Sequence, residues 1–317
     1  MKRCHLAFIL VTLLLMGPFV FNSYALAADK LGIGLIPIVD CLQAFVAVDK
    51  GFFAKEGIEA KLQYMAGGAK ILPAVAGGSL GIGFSSVTSV ILSADRGFDF
   101  IIVADGAYEP PQPPWTSVIM ARKEAGIKEP KDLVGKKVAV NTIHQISDLY
   151  VMEMVRRAGG DPKKIIWLEI PFPNMGAALV SKQVDAANLV EPFYTIYKGK
   201  PDLVLAFDTF HPLRRRGIIA NYVSTKKWVQ ANSDLVKRFA SAIAKATDYI
   251  SANQREARAV LPKFTRLSPE LAMKVGIKDF GKSVDIEGLQ WTSDLIYNFG
   301  WIKRKQDVRD FVHVTAR

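Results

Sequence analysis

The chain has 317 residues, half of them hydrophobic, with 41 Lys and Arg against 30 Asp and Glu and a formal net charge of +11. That length and apolar share supply one large domain or two lobes with ordinary cores, and exclude a disordered or low-complexity chain. The basic residues are scattered apart from Arg214-Arg215-Arg216 and Lys303-Arg304-Lys305, and no aromatic-interleaved patch or DNA-reading motif accompanies them, so the surplus does not indicate a nucleic-acid partner.

At the N-terminus, Lys2 and Arg3 precede the apolar run Leu6 to Leu15, and Ala25-Leu26-Ala27 offers a small-residue cleavage site. Together these describe a secretory signal peptide over residues 1–27. The run is short for a spanning helix and ends at Gly17-Pro18, which disfavours the alternative of an uncleaved anchor. Cys4 lies ahead of the apolar core and is not placed for lipid attachment, so the expected mature protein is free in the periplasm. Only Cys41 would remain, leaving a fold held by its core rather than by a disulfide.

Strand-like apolar runs then alternate with helical patterns, which predicts an α/β architecture. Leu31 to Ile36, Ala60 to Tyr64, Leu80 to Phe84, Phe100 to Ala104 and Ser117 to Ala121 are expected strands, with a helix over Leu42 to Lys55. The proline-rich stretch Tyr108 to Trp115 must run extended, because each ring fixes φ and removes a donor. A second series begins after Glu129-Pro130-Lys131-Asp132-Leu133, with strands at Lys137 to Val140, Ile165 to Ile170, Val184 to Leu189 and Leu203 to Phe207. Within it, Ser147 to Ala158 has helical spacing and is stopped by Gly159-Gly160. Ile218 to Ser224 is expected to return the chain to the first lobe.

Beyond Ser233 the pattern is helical: Leu235, Phe239, Ala242, Ile243, Ala246 and Ile250 share one face of a long helix. Further helices fall near Pro269 to Val275 and Glu287 to Phe299, and Trp291, Phe299 and Trp301 are expected to pack them onto the first lobe.

Two stretches repeat one device. Gly67 to Gly83 and Pro173 to Ala187 each combine a helix rich in small residues, a tight turn and a short apolar strand. Ligands of α/β folds bind at the loops of such strand ends, so two copies about a hundred residues apart predict two lobes with a cleft between them.

Several motifs compete for a chemical role. Gly276 to Ser283 spells a P-loop, but the segment before it is helical and Val284-Asp285-Ile286 does not open a convincing helix, so no nucleotide site is expected. Gly67-Gly68 opens a helix whose free amides can hold an anionic group, or is an ordinary turn. Asp40 and Cys41 follow the first strand. Cys41 with His144 would offer a nucleophile and base, but no cysteine-hydrolase signature surrounds it and a packing role is the simpler reading. Asp40 either caps the helix near Leu42 or faces a cationic group. Asn141 to Ser147 links a strand to a helix and supplies amides, hydroxyls and an imidazole, or simply a cap. Glu191-Pro192 places a carboxylate after another strand, for an amine or aminopyrimidine or for the dipole of the next helix. No spacing makes a credible metal site, and no cofactor is expected.

Taken together, the mature chain resembles the solute-binding proteins of ABC importers in the nitrate, sulfonate, taurine and thiamine-precursor group, the NMT1/THI5-like family. The resemblance rests on the opening segment Phe45 to Ile58, on Asp132 to Val140 at the entry to the second lobe, and on Gln183 to Pro192. It implies a type II periplasmic-binding fold: two lobes, a hinge and a central ligand cleft, with lobe one over 28–121 and 216–317, lobe two over 122–215, and crossings near 120–125 and 209–217. By the same analogy the ligand meets Asp40, Gly67, Gly68, Ser85 and Ser86 from lobe one. Asn141, Thr142, His144, Gln145, Ser147 and Glu191 meet it from lobe two, with Asn221 on the returning strand.

Many relatives carry Gly-Ser where this chain has His144-Gln145, and the cysteine motif of the pyrimidine-synthesising branch is absent. Asp40 and Glu191 tilt the expected ligand towards a small polar molecule bearing an amine or another donor. The implied function is a monomeric, non-enzymatic receptor that delivers its ligand to an ABC permease. The alternatives are a small-molecule lyase or hydrolase on the same fold, or a ligand-sensing partner of a membrane receptor.

Overall fold

The computed structural model describes residues 28–317, and the expected signal peptide lies outside them. Eleven strands form two sheets. The first contains β1 (Asp29–Leu35), β2 (Ile58–Tyr64), β3 (Ile82–Ser86), β4 (Phe100–Tyr108), β10 (Ile218–Thr225) and β11 (Asp279–Phe280), in the order β11-β4-β10-β3-β1-β2. The second contains β5 (Ser117–Arg122), β6 (Lys137–Val140), β7 (Ile166–Glu169), β8 (Ala186–Val190) and β9 (Leu203–Asp208), in the order β7-β6-β8-β5-β9.

The two sheets share one topology. In each, a strand pairs in parallel with two neighbours: β1 with β2 and β3, and β6 with β7 and β8. Each then admits one antiparallel strand, β10 between β3 and β4, and β5 between β8 and β9. That antiparallel strand arrives in each case from the other lobe, since β5 follows β4 and β10 follows β9. The sequence reading placed Ser117–Ala121 in the first lobe; its pairing with β8 and β9 puts it in the second. The first crossing is therefore the proline-rich segment 109–116 rather than 120–125, while the second spans 209–217, between β9 and β10.

The repeated device is present twice, as the helix Gly68–Ala76 leading to β3 and the helix Phe172–Val180 leading to β8. The long helix Ser233–Ala252 buries Phe239, Ala242, Ile243, Ala246 and Ile250, as their spacing predicts. The aromatic residues of the C-terminal segment depart in part from expectation. The helix Ile286–Asn298 does contact the helix Val87–Asp95 of the first lobe, but Trp291 also meets Tyr150 edge-on at 5.3 Å and Trp301 meets His144 at 4.7 Å, so the aromatics reach the second lobe as well. A single apolar core runs from the first sheet across this seam, and a smaller one, around Ile119, Val138 and Val151, lies under the outer side of the second sheet.

Gly106 marks where β4 and β10 fall out of register. A Cβ there would lie 2.2 Å from the Ala220 carbonyl oxygen, so only glycine lets the two backbones approach this closely. Gly106→Ala is expected to cost more than about 2 kcal/mol in chemical denaturation, against a fraction of that for an ordinary exposed substitution.

Candidate functional site

The parallel strands of both sheets end at the seam between the lobes, and a cavity of about 60 Å³ lies there. Lobe one contributes Ile36, Ile38, Asp40, Gly68, Phe84, Ser86, Ile219 and Ala220, and lobe two contributes Ser117, Asn141, Gln145, Ile146, Ser147, Phe172, Val190 and Phe210. Three helices of eight or more residues begin at its wall: Gly68–Ala76, Val87–Asp95 and Ile146–Arg157. The lining is mostly apolar and aromatic, with hydroxyls, amides and one charged side chain, Asp40.

Strand parity decides which expected residues reach it, because successive side chains on a strand point to opposite faces. Phe84 and Ser86 line the cavity, while Ser85 between them is buried beneath Gly68, where a Cβ would come within 2.5 Å of its hydroxyl oxygen. On β10 the pairing with β4 is irregular and simple alternation fails: Ile219 and Ala220 both line the cavity, while Asn221 donates to Asp105 Oδ1 at 2.8 Å. Val190 lines it, while the Glu191 carboxylate accepts from Thr195 N at 3.1 Å, Thr195 Oγ1 at 2.8 Å and Gly276 N at 3.1 Å. Glu191 thus pins a short helix and the C-terminal passage rather than facing the cleft.

The remaining expected residues divide similarly. Asp40, Gly68, Ser86, Asn141, Gln145 and Ser147 meet at the cavity. Gly67 lies at its rim, where the lobes approach so closely that a Cβ would fall 2.7 Å from Asn141 Nδ2. Thr142 and His144 instead line an outer groove of about 480 Å³, which shares Gln145 with the cavity. Ser147 does not cap its helix, because Gln145 stands at the cap and Asp148 accepts from the amides of Gln145 and His144, each at 2.7 Å. Asp40 does not cap the helix at Leu42 either, since Cys41 occupies that position. Cys41 is fully buried and its thiol is pushed well up by desolvation, while His144 packs against Trp301, so the two make no nucleophile and base. In the P-loop-like run, Asp279–Phe280 is a strand and Lys282 pairs with Asp248 at the surface. Among the described residues no group of three or more His, Cys, Asp or Glu can hold a metal.

The sequence reading missed Lys278. Its ammonium is buried and donates to Ser117 Oγ at 2.7 Å and Glu109 Oε2 at 3.0 Å, and lies 3.7 Å from Asp40 Oδ1. Glu109 also accepts from Thr116 N at 2.6 Å, Thr116 Oγ1 at 2.9 Å and Ser117 N at 3.2 Å, so it clips together both ends of the first crossing. Burial works against the Lys278 ammonium, but Asp40 and Glu109 outweigh it and hold its pKa above the ordinary value. Burial, with the Glu109 charge adding to it, pushes Asp40 up against the pull of Lys278. Lys278 is committed most closely to Glu109, and Asp40 Oδ2 has no hydrogen-bond partner among the described residues. An isolated lysine inside a glycine-containing run carries no sequence signal of this role. The aromatic walls Phe84, Phe172 and Phe210 were likewise unmarked, since they resemble core residues.

Two sheets of one topology, two crossings and a cavity at their seam define the type II periplasmic-binding-protein fold. The alkanesulfonate-binding protein SsuA from Xanthomonas axonopodis pv. citri, bound to MOPS, shares it with a TM-score of 0.76 at 17% identity, over 91% of this chain and 99% of that one. The chain belongs to the NMT1/THI5 like family, whose model matches residues 39–257. Curated relatives include the formylaminopyrimidine-binding protein of Halalkalibacterium halodurans, 23% identical over 219 residues, or 68% of this chain and 64% of that one. A 4-amino-5-hydroxymethyl-2-methylpyrimidine phosphate synthase of Saccharomyces cerevisiae is 20% identical over 220 residues, or 66% of this chain and 63% of that one.

Removing one member of a buried, hydrogen-bonded charge group strands the others. Lys278→Met is therefore expected to lower unfolding stability by about 3–5 kcal/mol, and the added change Glu109→Gln to restore part of it in a double-mutant cycle.

Buried carboxyls also set a pH dependence. Desolvation raises Asp105 and Asp148 to about 7 and Asp208 to about 6. The native state then keeps protons that the unfolded chain releases above about pH 4, so their stabilising contribution declines from there and is fully lost once pH has risen past 6 to 7. His313, lowered by burial, opposes this weakly, and Asp49, Glu56 and Asp185, which are lowered, act only at more acid pH. The urea midpoint is expected to fall between pH 5 and pH 8. Asp105→Asn should flatten that slope, since Asp105 Oδ1 alone takes the donors of Gly106, Tyr108 and Asn221.

Proposed function

We propose that the protein is a solute receptor of an ABC importer, which closes its lobes on a small polar organic molecule bearing an N–H donor and presents it to a permease. An aminopyrimidine-like compound fits best among the classes the resemblance suggests. The observation that carries this reading is Asp40, a cavity-lining residue with one buried carboxyl oxygen that has no partner, in a lining without Lys or Arg. A buried carboxylate oxygen left unpaired is costly, and an N–H from a ligand repairs it. An oxyanion such as a sulfonate or nitrate would meet helix N-termini and hydroxyls but also the Asp40 charge. The formylaminopyrimidine-binding relative supports the same ligand class.

The synthase relative favours an enzyme on this fold as the second reading. Against it, the lining supplies Ser86, Ser117 and Ser147 but no His or Cys to activate a nucleophile. Among the described residues no helix is long and apolar enough to cross a membrane.

Calorimetric titration of the purified protein with 4-aminopyrimidine, taurine and nitrate tests the assignment. Binding of 4-aminopyrimidine alone is expected, with a loss of about 10–100-fold in Asp40→Asn, the worth of a hydrogen bond to a charged group. Binding of nitrate or taurine with Asp40→Asn tightening it would overturn the donor-head reading.

A further inference from the structure

The cavity at the seam is smaller than sites for small organic ligands, which begin at about 300 Å³. It does not end blindly. Ile36, Ile38 and Phe172 are shared with a second hollow of about 260 Å³ that opens on the side of the cleft away from His144. Tyr64, Pro171 and Phe193 complete this hollow, and none of its lining residues is charged. The Phe172 and Phe193 rings lie nearly parallel, 12° apart in plane with centroids at 6.5 Å, and Tyr64 is 47% exposed at the rim. An uncharged hollow walled by aromatic rings, with one half-exposed tyrosine at its rim and part of its lining shared with the seam cavity, has the composition of a ligand groove.

The opposite mouth is built differently. Its groove meets the cavity at Gln145, whose Oε1 already accepts from Ser89 Oγ of the other lobe at 2.8 Å. Gln145 is thus tied across the seam, whereas the lining shared by the cavity and the Tyr64 hollow is apolar: Ile36, Ile38 and the Phe172 ring. Rotation of that ring about χ1 and χ2 breaks no polar contact.

Resting on the receptor reading above, we propose that the ligand is two-ended: a donor-bearing polar head sits against Asp40, and a flat aryl tail passes Phe172 into the apolar hollow of Tyr64, Pro171 and Phe193. The two volumes together reach the lower range of ordinary ligand sites, and the one charged side chain, Asp40, stands on the cavity side. The head satisfies the buried carboxylate, and the tail is recognised only by shape and apolar contact. Tail chemistry thereby sets affinity, while the head sets orientation.

The test is a matched pair, 4-aminopyrimidine and 4-amino-5-benzylpyrimidine, titrated into the purified protein and its Tyr64→Ser variant. Tyr64 stands half in solvent, so the variant should keep the parent melting temperature, which is checked first. The expected result is binding of the benzyl compound at least about tenfold tighter than the parent head, a gain within reach of one buried ring. Tyr64→Ser should remove most of that gain and leave 4-aminopyrimidine unchanged. Equal or weaker binding of the benzyl compound to the unmodified protein overturns the tail site and leaves the receptor reading standing. A benzyl advantage that survives in Tyr64→Ser also overturns it, by placing the tail elsewhere. Binding of neither compound refutes the aminopyrimidine head, and the two-ended ligand falls with it.

Discussion

One buried ammonium holds the hinge, the first crossing and the cleft floor in a single arrangement. Lys278 comes from the C-terminal passage, Glu109 from the end of β4, Ser117 from the start of β5, and Asp40 from the turn after β1. Taking a lysine and two carboxylates out of water is expensive, and the group persists because nearly every donor and acceptor in it is used. The exception is one oxygen of Asp40, a residue that lines the seam cavity. Charge explains the exception: one cation faces two carboxylates, and the shorter contact goes to Glu109. The hinge group therefore leaves one carboxyl oxygen unpartnered on a residue that lines the seam cavity.

The shared topology of the sheets explains how both lobes present equivalent edges to that site. Each lobe receives its antiparallel strand directly from the other, so the two crossings and the two strands after them form one connected frame. A rotation about this frame moves the ends of β1 and β3 relative to those of β6 and β8 while leaving each sheet intact. The C-terminal helix Ile286–Asn298 lies behind the frame, with Trp291 stacked edge-on against Tyr150 of the second lobe. Closure is thus restrained at the back by aromatic packing.

How much of this was legible in the sequence follows from the range of each signal. The repeated helix and strand device was visible because small residues and a short apolar run are local features, and both copies occur where expected. The lobe of Ser117–Arg122 was not, because its apolar pattern is the same whichever sheet accepts it. Site residues failed by face more than by region. Ser85, Glu191 and Asn221 each stand beside a residue that does line the cavity, one step along a strand or its end. Strand phase decides the face for Ser85, and irregular pairing of β10 and the end of β8 decide it for Asn221 and Glu191; composition reports none of these. Lys278 was invisible for a different reason: its partners are Asp40, Glu109 and Ser117, all more than 160 positions away.

The contacts across the front of the cleft bear on how closure is driven. They include Ser89 Oγ to Gln145 Oε1 at 2.8 Å, Val39 N to the Glu191 carbonyl at 3.2 Å, and a long Asn141 Nδ2 to Ala66 carbonyl contact at 3.4 Å. Each such bond contributes roughly 0.5–1.5 kcal/mol net, because opening lets water take its place. A ligand shifts the equilibrium only by the difference in its affinity for the closed and open states. A molecule touching Asp40 on one lobe and Asn141 or Ser147 on the other makes that difference large, because opening breaks half of its contacts. On the proposed receptor reading, these individually weak polar bonds would leave closure responsive to such a molecule, and the buried charge group at the hinge would favour a rotation over an unfolding.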